Sequence, residues 1–138
     1  MKRQMVSNFK QSILLVAGLI ISGFCFAQNN VYILCDKSGD CSMTWDEFTQ
    51  CKKTLITTDK AMSVSAFVVT VKKLGKKDVE FLEFSSKTNS FPKEALQMID
   101  ELKKNKKLGD KIEISNVEVV QSGKPARKVN GMIITLNQ

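Results

Sequence analysis

The sequence predicts an α+β domain, mostly β: a compact antiparallel β-sandwich-like unit carrying two short helices. Three observations carry this expectation. The 138-residue chain is long enough for one core and short for two. The run Ala66-Phe67-Val68-Val69-Thr70-Val71 is β-branched and apolar on both alternating faces, the pattern of a strand buried from two sides. Helical spacing is confined to two short segments, and the order β-α-ββ-α-ββ lacks the repeated parallel crossovers of a doubly wound sheet. A composition of 43% hydrophobic and 25% charged residues excludes a chain that is disordered throughout.

At the amino terminus, Lys2, Arg3 and Lys10 precede an almost unbroken apolar run over residues 13–26, and Cys25-Phe26-Ala27 closes it with small residues where signal peptidase requires them. Residues 1–27 are therefore expected to be a Sec-type signal peptide cleaved after Ala27. A retained membrane anchor is the rival, since roughly 20 apolar residues span a bilayer comfortably. Three of the 21 basic side chains and none of the 14 acidic ones lie in this leader, so its removal lowers the net charge from +7 to +4. The expected product is periplasmic or secreted, with no stable membrane insertion after cleavage.

The mature chain then begins with an extended segment, residues 28–41, whose strand at 30–35 runs into the turn Asp36-Lys37-Ser38-Gly39-Asp40. Residues 42–138 form the β-rich domain. Thr44 as N-cap and Glu47 three residues later make a capping box, with Met43 and Phe48 as its hydrophobic staple, and the helix is expected to reach Leu55 or Ile56. The central strand covers 62–73, Gly75 turns, and 79–84 returns as a hairpin. Phe91, Ala95, Met98, Ile99 and Leu102 recur on one stripe of a second helix that begins near Pro92 and ends by Gly109. Strands at 111–121 and 127–136 follow, separated by the turn Ser122-Gly123-Lys124-Pro125, with a bulge at Gly131.

Function is bounded first by what is missing. The chain has no histidine, which removes Ser/His and Cys/His nucleophile pairs and imidazole metal sites. Adjacent acids such as Asp100-Glu101 point different ways on a helix and do not form a catalytic pair. No enzyme is expected. One Trp, one Tyr and no arginine cluster leave no stacking platform for single strands, so nucleic acid is not an expected partner.

Two lysine groups remain as a candidate surface for an acidic protein partner in the cell envelope: Lys72, Lys73, Lys76 and Lys77, and Lys103, Lys104, Lys106 and Lys107. Lysines beside a strand turn and at a helix C-terminus also have purely structural uses. Cys35, Cys41 and Cys51 form an odd set, so one disulfide is expected in an oxidising compartment, and three pairings are open. Asp36, Ser38, Asp40, Thr44 and Glu47 fall at oxygen-ligand spacings of an EF-hand loop. Cys41 occupies its glycine position and the entering helix is missing, so calcium is the alternative reading, in a secreted small ligand-binding protein; otherwise no cofactor is expected.

Several pieces in order, Ser65-Ala66-Phe67-Val68-Val69-Thr70-Val71 into Lys72-Lys73 and Gly75-Lys76, Ser90, Leu108-Gly109-Asp110-Lys111-Ile112, Ile114 with Asn116-Val117, Gly123, and Arg127-Lys128-Val129 before Ile133-Ile134, resemble the C-terminal periplasmic domain of the gliding-motility protein GldM, also called PorM. The resemblance covers about residues 42–138. It implies a β-rich protein-binding domain related to the type IX secretion and gliding machinery of Bacteroidota. With no helical bundle and no preceding β-domains, it implies an accessory or adaptor, not a motor shaft.

Overall fold

The computed structural model describes residues 31–74, 78–106 and 109–138. The expected leader and the turn at Gly75 lie outside the described residues. The elements are β1 (Tyr32–Ile33), β2 (Cys41–Thr44), α1 (Trp45–Gln50), β3 (Ile56–Thr57), β4 (Met62–Leu74), β5 (Val79–Ser86), α2 (Lys93–Lys104), β6 (Asp110–Gln121), β7 (Lys124–Val129) and β8 (Met132–Asn137). The class is α+β and mostly β, with two short helices.

β6 is the hub. One edge pairs along β4, which carries β5 outside it; the other edge is shared, β8 taking the first half and β7 the second. Side chains alternate across a sheet, and the alternation sorts the faces cleanly. Ile112 and Ile114 of β6, Val69 and Val71 of β4, and Met132, Ile134 and Leu136 of β8 are buried on one face, while Lys111, Glu113 and Ile133 point the other way. That buried face is covered by α1, α2 and the small β1–β3 ribbon, which supply Tyr32, Leu34, Trp45, Phe48, Ala95, Ile99 and Leu102 to a common core. Full burial of a large apolar side chain such as Leu34 or Phe48 contributes about 1.5–3 kcal/mol. α2 is the amphipathic helix its spacing predicts, and Phe91 just before it meets Phe67 of β4 at a ring-centroid distance of 5.8 Å.

A pair of offsetting bulges lies between β4 and β6. Ser65 is the extra residue between the pairs Val64–Val119 and Ala66–Glu118, and β6 then inserts one of its own before Val68–Ser115. Within that insertion Asn116 adopts φ +48°, a left-handed conformation that asparagine tolerates better than most residues. The two shifts cancel. Successive buried positions are therefore three apart on both strands, from Val64 to Phe67 and from Ile114 to Val117, and the core face stays continuous.

Three expectations are corrected. The first helix stops at Gln50, not near Leu55, because Cys51 turns extended at φ −75° and ψ 153° and is tied to Cys35; Leu55 is buried from the following extended segment. The strand expected over 127–136 is two strands, and its partner turn is the two-residue Ser122-Gly123. The sheet is antiparallel except at β2, which runs parallel to β8 from Cys41–Ile134 to Thr44–Asn137. Gly131 marks the handover from β7 to β8, and a Cβ there would collide with the backbone carbonyl of Ile114. Gly131→Ala is expected to lower stability by about 1–3 kcal/mol, read as a reduced urea midpoint at unchanged m value.

Tyr32 is completely buried, and its hydroxyl has no hydrogen-bond partner among the described residues. Burial, reinforced by the charge of Asp40, pushes the phenol well above its usual value of about 10. A raised folded-state value means that the neutral phenol's contribution is fully present below about pH 10 and is lost as pH climbs beyond it. The chain has one tyrosine, so ultraviolet titration reads it alone. Tyrosinate absorbance is expected to appear together with loss of Trp45 fluorescence, not ahead of it.

Candidate functional site

The two lysine groups, remote in sequence, are brought to one end of the sheet by the β4–β6 register. Val71 pairs with Ile112, so Lys72 lies beside the start of β6, and β6 begins just past the connection that leaves α2. Lys72 and α2 lie on opposite sides of that end. Lys72 alternates with buried Val69 and Val71, faces away from the helices and sits across from Phe81, whereas α2 lies on the covered face. Lys73 holds the register position opposite Glu80. Lys76, Lys77 and Lys107 lie outside the described residues.

Lys103 is engaged within the molecule. Its Nζ donates to Thr49 Oγ1 at 3.0 Å and approaches Asp46 Oδ1 at 3.7 Å, linking α2 to α1. Asp46 is largely exposed, and such ion pairs contribute about 0–1 kcal/mol. Lys104, in the last turn of α2, and Lys106 beyond it are exposed. Both favour the negative end of the helix dipole while leaving their ammonium groups to solvent. Among the described residues the free cations at this end are thus Lys104 and Lys106 on one side and half-buried Lys72 with exposed Lys111 on the other.

Three residues of the calcium-like segment, Asp40, Thr44 and Glu47, have side-chain oxygens committed to the fold. Asp40 Oδ1 accepts the backbone N–H of Ile133 at 2.8 Å, anchoring the start of β8. The capping box forms as its sequence predicts: Glu47 Oε2 accepts from the Thr44 N–H at 2.7 Å and the Thr44 hydroxyl at 3.1 Å, while Thr44 Oγ1 accepts from the Glu47 N–H. These bonds hold the Glu47 carboxyl below its usual range. Asp36 and Ser38 are exposed on the turn that reciprocal bonds between Leu34 and Lys37 close. Among the described residues no three acidic or cysteine side chains converge as a metal-holding group.

Of the three open pairings, the structure joins Cys35 to Cys51 and leaves the Cys41 thiol free on β2. Burial pushes that thiol upward, with Lys37 opposing and Asp40 reinforcing the shift.

Two features escaped the sequence reading. Lys53 arches back over the Phe48 ring at 4.3 Å and donates to the carbonyls of Phe48 and Cys51, closing the C-terminal end of α1, which has no basic residue in its last turn. Burial lowers its pKa, and it borders a cavity of about 250 Å³ between α1 and α2 with Leu96, Asp100 and Lys103. The second lysine of a Cys-Lys-Lys-Thr stretch carries no signal of this. The second is the outer edge of β5, where Phe81 is 60% and Val79 45% exposed.

No protein-family model matches this chain, and no curated protein matches it. Among the described residues no helix is long and apolar enough to cross a membrane.

Proposed function

We propose that the protein is a non-catalytic, exported interaction module that docks an acidic protein partner in the cell envelope through the lysine end of its sheet. The observation that carries this reading is the gathering of Lys72, Lys104 and Lys106 at one end by the β4–β6 pairing. Lys104 and Lys106 are exposed and have no carboxylate partner among the described residues, and such ammonium groups attract an acidic surface at low desolvation cost and steer its approach. Export fits the Cys35–Cys51 disulfide, a bond that persists in oxidising compartments. The resemblance to the GldM C-terminal domain favours a partner among components of type IX secretion or gliding, with the chain as an accessory to that machinery.

Site-specific photo-cross-linking in native envelopes tests the proposal. A probe at Lys104 or Lys106 is expected to capture one acidic protein, and raising the salt to reduce the yield, because screening at 0.15 M acts over about 8 Å. Equal capture by a probe at Lys124, at the opposite end of β6, or turnover of a substrate by the purified protein, contradicts it.

A further inference from the structure

The lysine end is not the only part of the fold prepared for contact. We propose that the free edge of β5 accepts an added strand from another protein, an extended segment in which basic and apolar residues alternate. This deepens the interaction-module reading and uses a different surface.

Among the described residues three strands of the six-stranded sheet have an unpaired edge, and two of them are blunted. β7 carries Pro125, which has no N–H to offer, together with Lys124, Arg127 and Lys128. β2 is four residues long and lies within the loop closed by the Cys35–Cys51 bond. Prolines, lysines and short lengths are the usual protections against unwanted strand pairing. β5 has none of them. It is eight residues long, contains no proline, lysine or arginine, and pairs with β4 in an unbroken register from Phe67–Ser86 to Leu74–Val79.

The edge is also apolar on both faces. Val79 and Phe81 are exposed on the open side, and Leu82 and Phe84 are only half-buried on the helix side. An added strand bonds to the outward backbone groups and covers side chains on both faces at once, the mode in which main-chain pairing gives affinity and alternate side chains give specificity.

Charge selects the occupant. Asp78, Glu80 and Glu83 stand in residues 78–86 with no cation among them, so this edge is acidic although the whole chain is at +7. A second copy of β5 is disfavoured: antiparallel self-pairing about Leu82 sets the two Glu83 side chains on one diagonal and collects three carboxylates from each copy. A strand with lysine or arginine at alternate positions meets the acids and lays apolar residues beside Phe81 or Leu82.

The probe is a labelled peptide of about eight residues alternating lysine and valine, titrated into the oxidised full-length mature protein by fluorescence anisotropy. Binding is expected, with slowed hydrogen exchange in β5. The glutamate–valine counterpart, and the lysine–valine peptide N-methylated at alternate residues, are each expected to bind at least about tenfold more weakly, a difference of about 1.4 kcal/mol. Phe81→Ser and Glu83→Lys should both weaken binding, and native Trp45 fluorescence certifies their folding. Equal binding of the N-methylated peptide, protection centred on β7, or dimerisation of the free protein through β5 overturns the proposal. The K104E and K106E changes, at the end of α2 and away from the β5 edge, should not weaken peptide binding. Loss of peptide binding with intact cross-linking from Lys104 defeats strand addition alone; the reverse result defeats only the lysine-end reading.

Discussion

Phe48→Ala is expected to destabilise the protein by about 3–5 kcal/mol, the range for removing a large aromatic side chain from a well-packed core. Phe48 is fully buried, although α1 has only six residues and contributes Trp45 and Phe48 alone to the core. So short a helix has little intrinsic stability and is held by what it packs against. Removing the ring leaves a cavity, takes away the surface over which Lys53 lies, and loosens the lysine whose ammonium closes the helix end. A domain of this size has about 5–15 kcal/mol in total, so the loss is a large fraction. Urea unfolding followed by Trp45 fluorescence should show a much lower midpoint. A change below about 1 kcal/mol would mean that α1 is not part of the cooperative core.

Replacing both Cys35 and Cys51 by serine is expected to cost about 3 kcal/mol, the loop-closure estimate for a bond spanning 16 residues. The bond joins the segment after β1 to the residue that ends α1. Its loss frees the chain that delivers Tyr32 and Leu34 to the core, so the damage should begin in the β1–β3 ribbon. Hydrogen exchange should then quicken first at Thr58, whose N–H is bonded to the Val31 carbonyl, and last in β4 and β6. Uniform quickening through the sheet would show that the ribbon and sheet open as one unit.

The legibility of the fold follows the range of the interactions that determine each part. α2 is readable because its apolar stripe repeats within a dozen residues, and the start of α1 because Thr44 and Glu47 bond to each other three positions apart. The end of α1 is set by Cys35 and by the cap from Lys53, neither visible as local periodicity. β2 is too short to show alternation and exists through its parallel pairing with β8, more than 80 positions away in the chain. The break at Gly131 is legible only once Ile114 is known to lie against it. For the candidate site, the lysine groups are plain in the sequence, but their meeting at one end depends on the β4–β6 register with its two cancelling bulges. Lys103 looked equivalent to its neighbours, and only the position of α1 shows that Asp46 and Thr49 occupy it.

The most direct test of the account is recovery of the native partner by the triple variant K72E, K104E, K106E beside a control reversed at Lys124 and Arg127, both at the opposite end of β6. Matched thermal unfolding establishes that both variants are folded. The account predicts that partner recovery falls about tenfold or more for the lysine-end variant and stays near the parent level for the control. Undiminished recovery by the lysine-end variant would contradict it.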